Sequence, residues 1–259
     1  MEPTEIPDGL VERLASARHV MVLSGAGVSA ESGVPTFRDA QTGLWSHFRP
    51  EQLATVEAFE ADPAMVWAWY EWRRDLVEKA IPNPGHLALA RLESLVPVLT
   101  LVTQNVDGLH RRAGSRSLIE FHGNLFDNRC LACGRPAPEL PRPCPVPPRC
   151  PACGGLIRPG VVWFGEAIPA DALERSFFAA GDCDVFLSVG TSSLVYPAAA
   201  LAERALDRGV VVVEVNPQPT GLARHAAFAL AAPSGEALPA LCQAIEGRRS
   251  RPPVRTPRP

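Results

Sequence analysis

The chain has 259 residues, 46% of them hydrophobic and 20% charged, with a formal net charge of -3. At roughly 150 residues per domain, this length holds one large domain or two small ones around a real core. Near-neutral charge and ordinary apolar content exclude a disordered acidic chain and a polyanion binder acting through the whole protein.

In chain order, Met1 to Glu5 show no basic stretch leading into an apolar run, so secretion is not expected and a reducing cytoplasm is the expected compartment. His19 to Ser24 forms a short apolar run that reads as a strand buried on both faces. Asp62-Pro63 supplies a cap and a first-turn proline for a helix running to Ala80, and Asn83-Pro84 does the same for one over His86 to Leu95. Val98 to Thr103, Leu118 to Phe121, Asp184 to Val189 and Val210 to Val215 are further buried-strand runs. Pro197 to Arg208, closed by Gly209, is helical. Strand alternating with helix predicts an α/β fold, a Rossmann-like parallel sheet with helices on both faces, binding its ligands at the carboxyl ends of the strands. No apolar stretch reaches the ~18 residues of a membrane span, so no membrane attachment is expected. A monomer is expected, and Arg248 to Pro259, rich in Arg and Pro, reads as a disordered tail.

Seven cysteines occur, five of them between Cys130 and Cys153. Cys130-x-x-Cys133 and Cys150-x-x-Cys153 are separated by 16 residues, which is the spacing of a four-thiolate zinc site. With sulfur at every position no site remains for water, so such a zinc would be structural. The competing readings are a redox pair, which needs only one CxxC, and chance clustering. The many prolines between the pairs rule out a long helix, so a small zinc-ribbon module is expected to interrupt the α/β order. Cys144, Cys183 and Cys242 have no assigned role. Arg129, Arg135, Arg142, Arg149 and Arg158 face only Glu139 within this stretch, a weak nucleic-acid signal lacking interleaved aromatics, and nucleic acid is not the expected partner.

Gly25-Ala26-Gly27, directly after the first strand, would let backbone N–H groups approach a pyrophosphate, although the later Gly33 is one position late for the dehydrogenase fingerprint. Asn216, at the end of a late strand, is placed to reach a ribose hydroxyl. The longer string from Gly25 to Arg38 resembles the opening signature of the sirtuins, NAD-consuming protein-lysine deacylases. Further strings resemble sirtuin motifs in the family's order: Thr103-Gln104-Asn105-Val106-Asp107-Gly108-Leu109-His110, Phe121-His122-Gly123-Asn124, Val161-Val162-Trp163-Phe164-Gly165-Glu166, Gly190-Thr191-Ser192-Ser193 and Val215-Asn216-Pro217. The resemblance extends from about Val20 to Leu238.

The resemblance implies two NAD-binding segments, 1–125 and 158–247, with a helical insertion about 40–85 and a zinc-binding module over 126–157. It implies NAD as co-substrate and acyl-lysine proteins or peptides as partners, with nicotinamide and O-acyl-ADP-ribose as products. His122 matches the histidine that activates a ribose hydroxyl, which suits an imidazole titrating near neutrality. A lone histidine is more often a structural one, and the Phe-His-Gly context decides here. Gln104, Asn105, Val106 and Asp107 would line the nicotinamide-ribose pocket, with Asn105 and Asp107 acting in catalysis; Asp107 is equally suited to cap a helix. Gly25, Ala26, Gly27 and Glu31 would hold the cofactor from the first loop. Thr36, Phe37, Arg38 and Trp45 belong to a cofactor-binding loop, with Phe37 screening the sugar from water. Gly190, Thr191 and Ser192 would contact phosphate and ribose, Asn216, Pro217 and Gln218 the adenosine ribose, and Ser234 the adenine side. Val162, Phe164 and Gly165 would bind the substrate peptide as an added strand.

Tyr70 and Arg73 stand at i and i+3 on the predicted helix after Asp62 and so share a face. A phenol and a guanidinium together can grip a carboxylate. This Tyr-x-x-Arg, with Ala30 and Thr36, resembles the sirtuin class acting on succinyl, malonyl and glutaryl groups, which implies a preference for acidic acyl chains with some deacetylase activity. The alternatives are a plain deacetylase, a mono-ADP-ribosyltransferase, an NAD-dependent dehydrogenase and a zinc-ribbon binding module.

Overall fold

A computed structural model describes residues 4–35, 50–137, 140, 144 and 146–250. Along the chain, α1 (Asp8–Ser16) precedes β1 (His19–Ser24) and the short α2 (Ala26–Ala30). Three helices follow, α3 (Pro50–Leu53), α4 (Val56–Ala61) and α5 (Pro63–Lys79). Next come α6 (Pro84–Leu95), β2 (Val98–Thr103), α7 (Leu109–Arg112) and β3 (Leu118–Glu120). The cysteine region carries β4 (Gly123–Cys130), β5 (Pro136–Ala137) and β6 (Ile157–Val161). The chain then forms α8 (Ala170–Asp182), β7 (Val185–Val189), α9 (Ala199–Asp207), β8 (Val211–Val215), β9 (Phe228–Leu230) and α10 (Ser234–Arg249).

Six strands form one parallel sheet in the order β3-β2-β1-β7-β8-β9, the arrangement of a doubly wound dinucleotide fold. The period-2 alternation of side chains divides the core between its two faces. Val20, Val22, Leu101, Leu187 and Val213 pack with α1, α6 and α10, whereas Met21, Leu23, Val102, Phe186 and Val212 pack with α8 and α9. Both faces are covered, which is why these strands read as continuous apolar runs. β4, β5 and β6 form a separate antiparallel sheet. Its core is shared with the helical region: Leu125, Ile157 and Val161 pack with Phe59, Trp67, Tyr70 and Trp163.

The capped helices begin where the caps predict. Asp62 accepts from Met65 N at 2.9 Å ahead of Pro63, and Asn83 accepts from Gly85 N at 2.9 Å ahead of Pro84. Smaller shifts occur elsewhere: β3 ends at Glu120 and α9 spans Ala199–Asp207. The expected tail loses its first residues, because α10 continues through Arg248 and Arg249 with Arg248 paired to Glu12 on α1. Residues 251–259 lie outside those described. No helix among the described residues is long and apolar enough to cross a membrane.

Candidate active site and cysteine centre

The strand order reverses between β1 and β7, which opens a crevice above their carboxyl ends. Two loops close upon one another there, and glycine is what permits it. Gly27 N donates to Gly190 O at 2.8 Å, and a Cβ on Gly27 would sit 2.8 Å from that same oxygen. Gly190 has φ +59, and a Cβ there would lie 2.5 Å from Val28 N, so neither position admits a side chain. Gly25, at the start of the first loop, is equally confined by Thr191 and Gly190.

Polar side chains from successive strand ends converge beside this contact. Gln104 Nε2 donates to Thr191 Oγ1 at 3.0 Å, and Asn216 Nδ2 donates to Thr191 O at 3.0 Å, tying together the ends of β2, β7 and β8. Asn105 Nδ2 donates to Gly25 O and Ser29 Oγ, each at 3.0 Å. Ser29 Oγ in turn donates to Asp107 Oδ2 at 2.7 Å, while Asp107 Oδ1 takes the Leu109 N–H at 2.8 Å. Asp107 thus bonds the first N–H of α7, whose N-cap is Gly108, and also joins the polar network around Ser29. Glu31 accepts from Ser234 Oγ at 2.6 Å and from Gly235 N at 3.1 Å, so these two candidate cofactor residues bind each other at the start of α10.

His122 follows β3 at the same edge. Its Nδ1 lies 3.0 Å from Gln104 O. A carbonyl can only accept, so Nδ1 carries the hydrogen and Nε2 is left with its lone pair, the tautomer of a general base. Burial lowers the pKa of this imidazole, with the bond to Gln104 acting the other way, and the ring stays neutral at physiological pH.

Behind the pocket lie histidines that local sequence did not single out. His86 on α6 and His110 on α7 sit 4.8 Å apart between ring centroids. His110 Nε2 is 2.9 Å from Ser24 Oγ, which donates to Thr103 Oγ1. Burial and the neighbouring His86 push the His110 pKa down to about 3.

Tyr70 and Arg73 lie on α5, as the i and i+3 spacing requires. Tyr70 is buried, and its Oη accepts from Trp163 Nε1 at 2.7 Å. The Arg73 guanidinium lies 5.1 Å from the Trp69 ring centroid. Burial lowers the Arg73 pKa while Tyr70 and Asp107 raise it, so the three charges or dipoles share one locality. The adjacent Arg74 is turned the other way, to Glu71, Leu125 O and Asn128. In the segment after β6, Val162 N donates to His122 O at 2.8 Å and Phe164 N to Ala54 O at 2.9 Å, while Phe164 and Gly165 are exposed.

Ala26 opens α2, and Val106, Ser192, Pro217 and Gln218 fall on the loops that follow β2, β7 and β8, at the carboxyl edge of the sheet. Thr36, Phe37, Arg38 and Trp45 lie outside the described residues. Trp163, Ser29 and His86 were not picked out as site residues, because the side-chain partner of each is distant in sequence; Glu166 was missed as well.

The four paired cysteines form a second centre. Their sulfurs all lie within 4.8 Å of one another; Cys130 and Cys153 are 3.4 Å apart and Cys133 and Cys150 3.9 Å. The two CxxC turns are near copies: Gly134 N bonds Cys130 O and Gly154 N bonds Cys150 O, with both glycines at positive φ. Four convergent thiols with no carboxylate or water position match a closed tetrahedral zinc site and its soft-ligand preference. The other cysteines are packing residues. Burial raises the Cys183 and Cys242 thiols to about 12 and about 11, and Cys144 lends its carbonyl to Trp67 Nε1 at 2.6 Å. Of the arginines of this region, three are engaged and Arg142 lies outside the described residues. Arg158 is buried against Glu166, to which Arg129 also donates, and Arg149 donates to Gly154 O. For Arg129 and Arg158 the counter-charge is Glu166, outside the stretch in which the arginines cluster.

A doubly wound sheet with a polar switch-point crevice and a base-competent histidine defines a dinucleotide-using α/β enzyme rather than a freestanding zinc ribbon. The match to known proteins narrows this: residues 25–197 fit the profile described as Sir2 family, and the chain belongs to that family. A protein of Methylococcus capsulatus named NAD-dependent protein deacylase is 51% identical over 257 residues, covering 96% of this chain and 100% of that protein. NAD-dependent protein deacylase 1 of Pseudomonas aeruginosa is 53% identical over 90% of this chain and 96% of its own. Among solved structures, a Sir2 homologue in complex with NAD superposes with TM-score 0.89 at 43% identity, over 96% of this chain and 98% of that one.

Proposed function

We propose that the chain is an NAD-dependent protein-lysine deacylase that favours acyl groups ending in a carboxylate. Full-length relatives near 50% identity carry the deacylase name, which supports the general reaction. NAD, when bound in the switch-point crevice, supplies the ribose carbon that receives the acyl oxygen as nicotinamide departs. The loops of Gly25 to Gly27 and Gly190 to Ser192 would hold its phosphates, and Asn216 its adenosine ribose. The leaving base would be oriented by Gln104, held by Thr191, and by Asn105 and Asp107, both held by Ser29, so that these groups are fixed before anything binds. His122 takes a ribose hydroxyl proton at Nε2, the nitrogen its bond to Gln104 leaves bare.

The acyl preference rests on one observation: Tyr70, buried, and Arg73, half-buried, stand together on one face of α5 with Asp107 near enough to raise the Arg73 pKa. A carboxylate reaching that pair would meet one phenol donor and one guanidinium, and charge-assisted bonds are roughly twice as strong as neutral ones. The wild-type protein should turn over succinyl- and glutaryl-lysine peptides faster than acetyl-lysine peptides when NAD is supplied. Arg73→Met should lower kcat/KM for the succinyl peptide by roughly 10- to 100-fold, from loss of a charged contact, and the acetyl peptide should suffer less. Equal turnover of both peptides, unchanged by Arg73→Met, would remove the basis for the preference.

A further inference from the structure

The cluster that joins the cysteine region to α5 has no part in the chemistry so far. The Arg158 guanidinium stacks over the Trp163 ring with its central carbon 3.2 Å from the ring centroid. Glu166 accepts from Arg158 at 2.5 and 3.0 Å, from Arg129 at 3.0 Å, and from the Trp163 backbone N–H at 2.8 Å. The carboxylate holds the Trp163 backbone and the stacked guanidinium holds its ring. Thus clamped, the indole presents its only polar atom to Tyr70 Oη at 2.7 Å.

An indole N–H donates and never accepts. The phenol oxygen must therefore be the acceptor, and its own proton is turned away from Trp163; among the described residues that proton has no acceptor. Accepting one bond also polarises the O–H and strengthens it as a donor. Burial lifts the Tyr70 pKa to about 12, so the hydroxyl keeps its proton at neutral pH.

We propose that Trp163 is a positioning residue for acyl specificity, its indole N–H making the Tyr70 hydroxyl a dedicated donor to the terminal carboxylate of an acidic acyl chain. The inference rests on the acidic-acyl reading above. An acetyl group carries no acceptor at that distance along the chain, so the contribution is selective for the longer acidic groups.

The test is a double-mutant cycle of Trp163→Phe and Tyr70→Phe, with kcat and KM measured for succinyl- and acetyl-lysine peptides at saturating NAD. Trp163→Phe should reduce the succinyl-over-acetyl ratio of kcat/KM about tenfold, the worth of one hydrogen bond, chiefly through the KM of the succinyl peptide. In the Tyr70→Phe background the same substitution should leave that ratio where Tyr70→Phe alone sets it, because the hydroxyl through which Trp163 acts is gone. Equal losses on both peptides, or an undiminished Trp163→Phe effect on the ratio in both backgrounds, would overturn the proposal and mark Trp163 as merely structural. Should Trp163→Phe fail to fold, replacing Trp163 with its benzothienyl isostere, which keeps the fused rings and lacks the N–H, should give the same selective loss. A wild-type protein without succinyl preference would instead overturn the acidic-acyl reading itself, so the two failures are distinguishable.

Discussion

In the proposed reaction a single backbone carbonyl would set the role of His122, because Gln104 O fixes the hydrogen on Nδ1 and leaves Nε2 as the basic atom. His122→Tyr should retain the fold and its bound zinc yet lose NAD-dependent deacylation by 10²-fold or more, the usual contribution of a general base. Deacylated peptide and released nicotinamide, followed together, check this, and full activity would sink the assignment. The pH profile follows from the same geometry. The active form is neutral, and burial lowers the imidazole pKa, so kcat/KM should hold as pH falls through 6.5 and decline only below it. A decline centred above 6.5 would mean that some other group limits the rate. Which residues gather at the crevice was legible from the motif strings, since glycines and strand-end polar residues are local signals. What those residues bond to was not. Tyr70 and Arg73 were visible as helical neighbours, but Trp163, the partner of Tyr70, comes from a segment 93 positions away.

Between elements, legibility followed the caps. α5 and α6 start with Asp62 and Asn83, whose side chains accept from the first turn, and both could be read. α1, α8 and α10 each begin after a proline with no side-chain cap, and Pro239 within α10 reads as a breaker, so none announced itself. Tertiary burial supplies what the local signal lacks. Nor could composition show that α6 and α7 face each other through His86 and His110. His110 is buried with its Nδ1 unbonded, and its pKa of about 3 lies below the ordinary 6.5. The unfolded chain therefore binds the proton first: stability is full above pH 6.5 and is lost progressively as pH falls toward 3. The unfolding free energy from denaturant titrations between pH 7.5 and 5 should fall by up to ~1.4 kcal/mol per pH unit for this one proton. His110→Gln should flatten that slope, and a wild-type stability level from pH 7.5 to 5 would count against a neutral buried His110.

Over the whole molecule, three apolar clusters divide the labour among the described residues, and only one of them holds cysteines of the CxxC pairs. The two faces of the parallel sheet have their own cores. The third core holds Cys130 and Cys150 together with Trp67, Tyr70, Val77 and Trp163, so the helix bearing Tyr70 and Arg73 leans on a module whose β5 is two residues long. The four thiols of this small three-stranded sheet lie within 4.8 Å of one another, and a closed tetrahedral ion there would hold the module together. Stripping zinc with a chelator, followed by amide hydrogen exchange, should therefore lower protection first in β4 and β6 and then along α5. β1, β7 and β8, buried between the other two cores, should keep theirs. Deacylation should fail with the loss in α5, because Tyr70 of the proposed acyl site and Trp163 share that core. Unchanged protection in α5 after the metal is gone would mean that the module and the acyl pocket are independent. Protection lost equally in every strand would mean instead that the three clusters unfold as one unit.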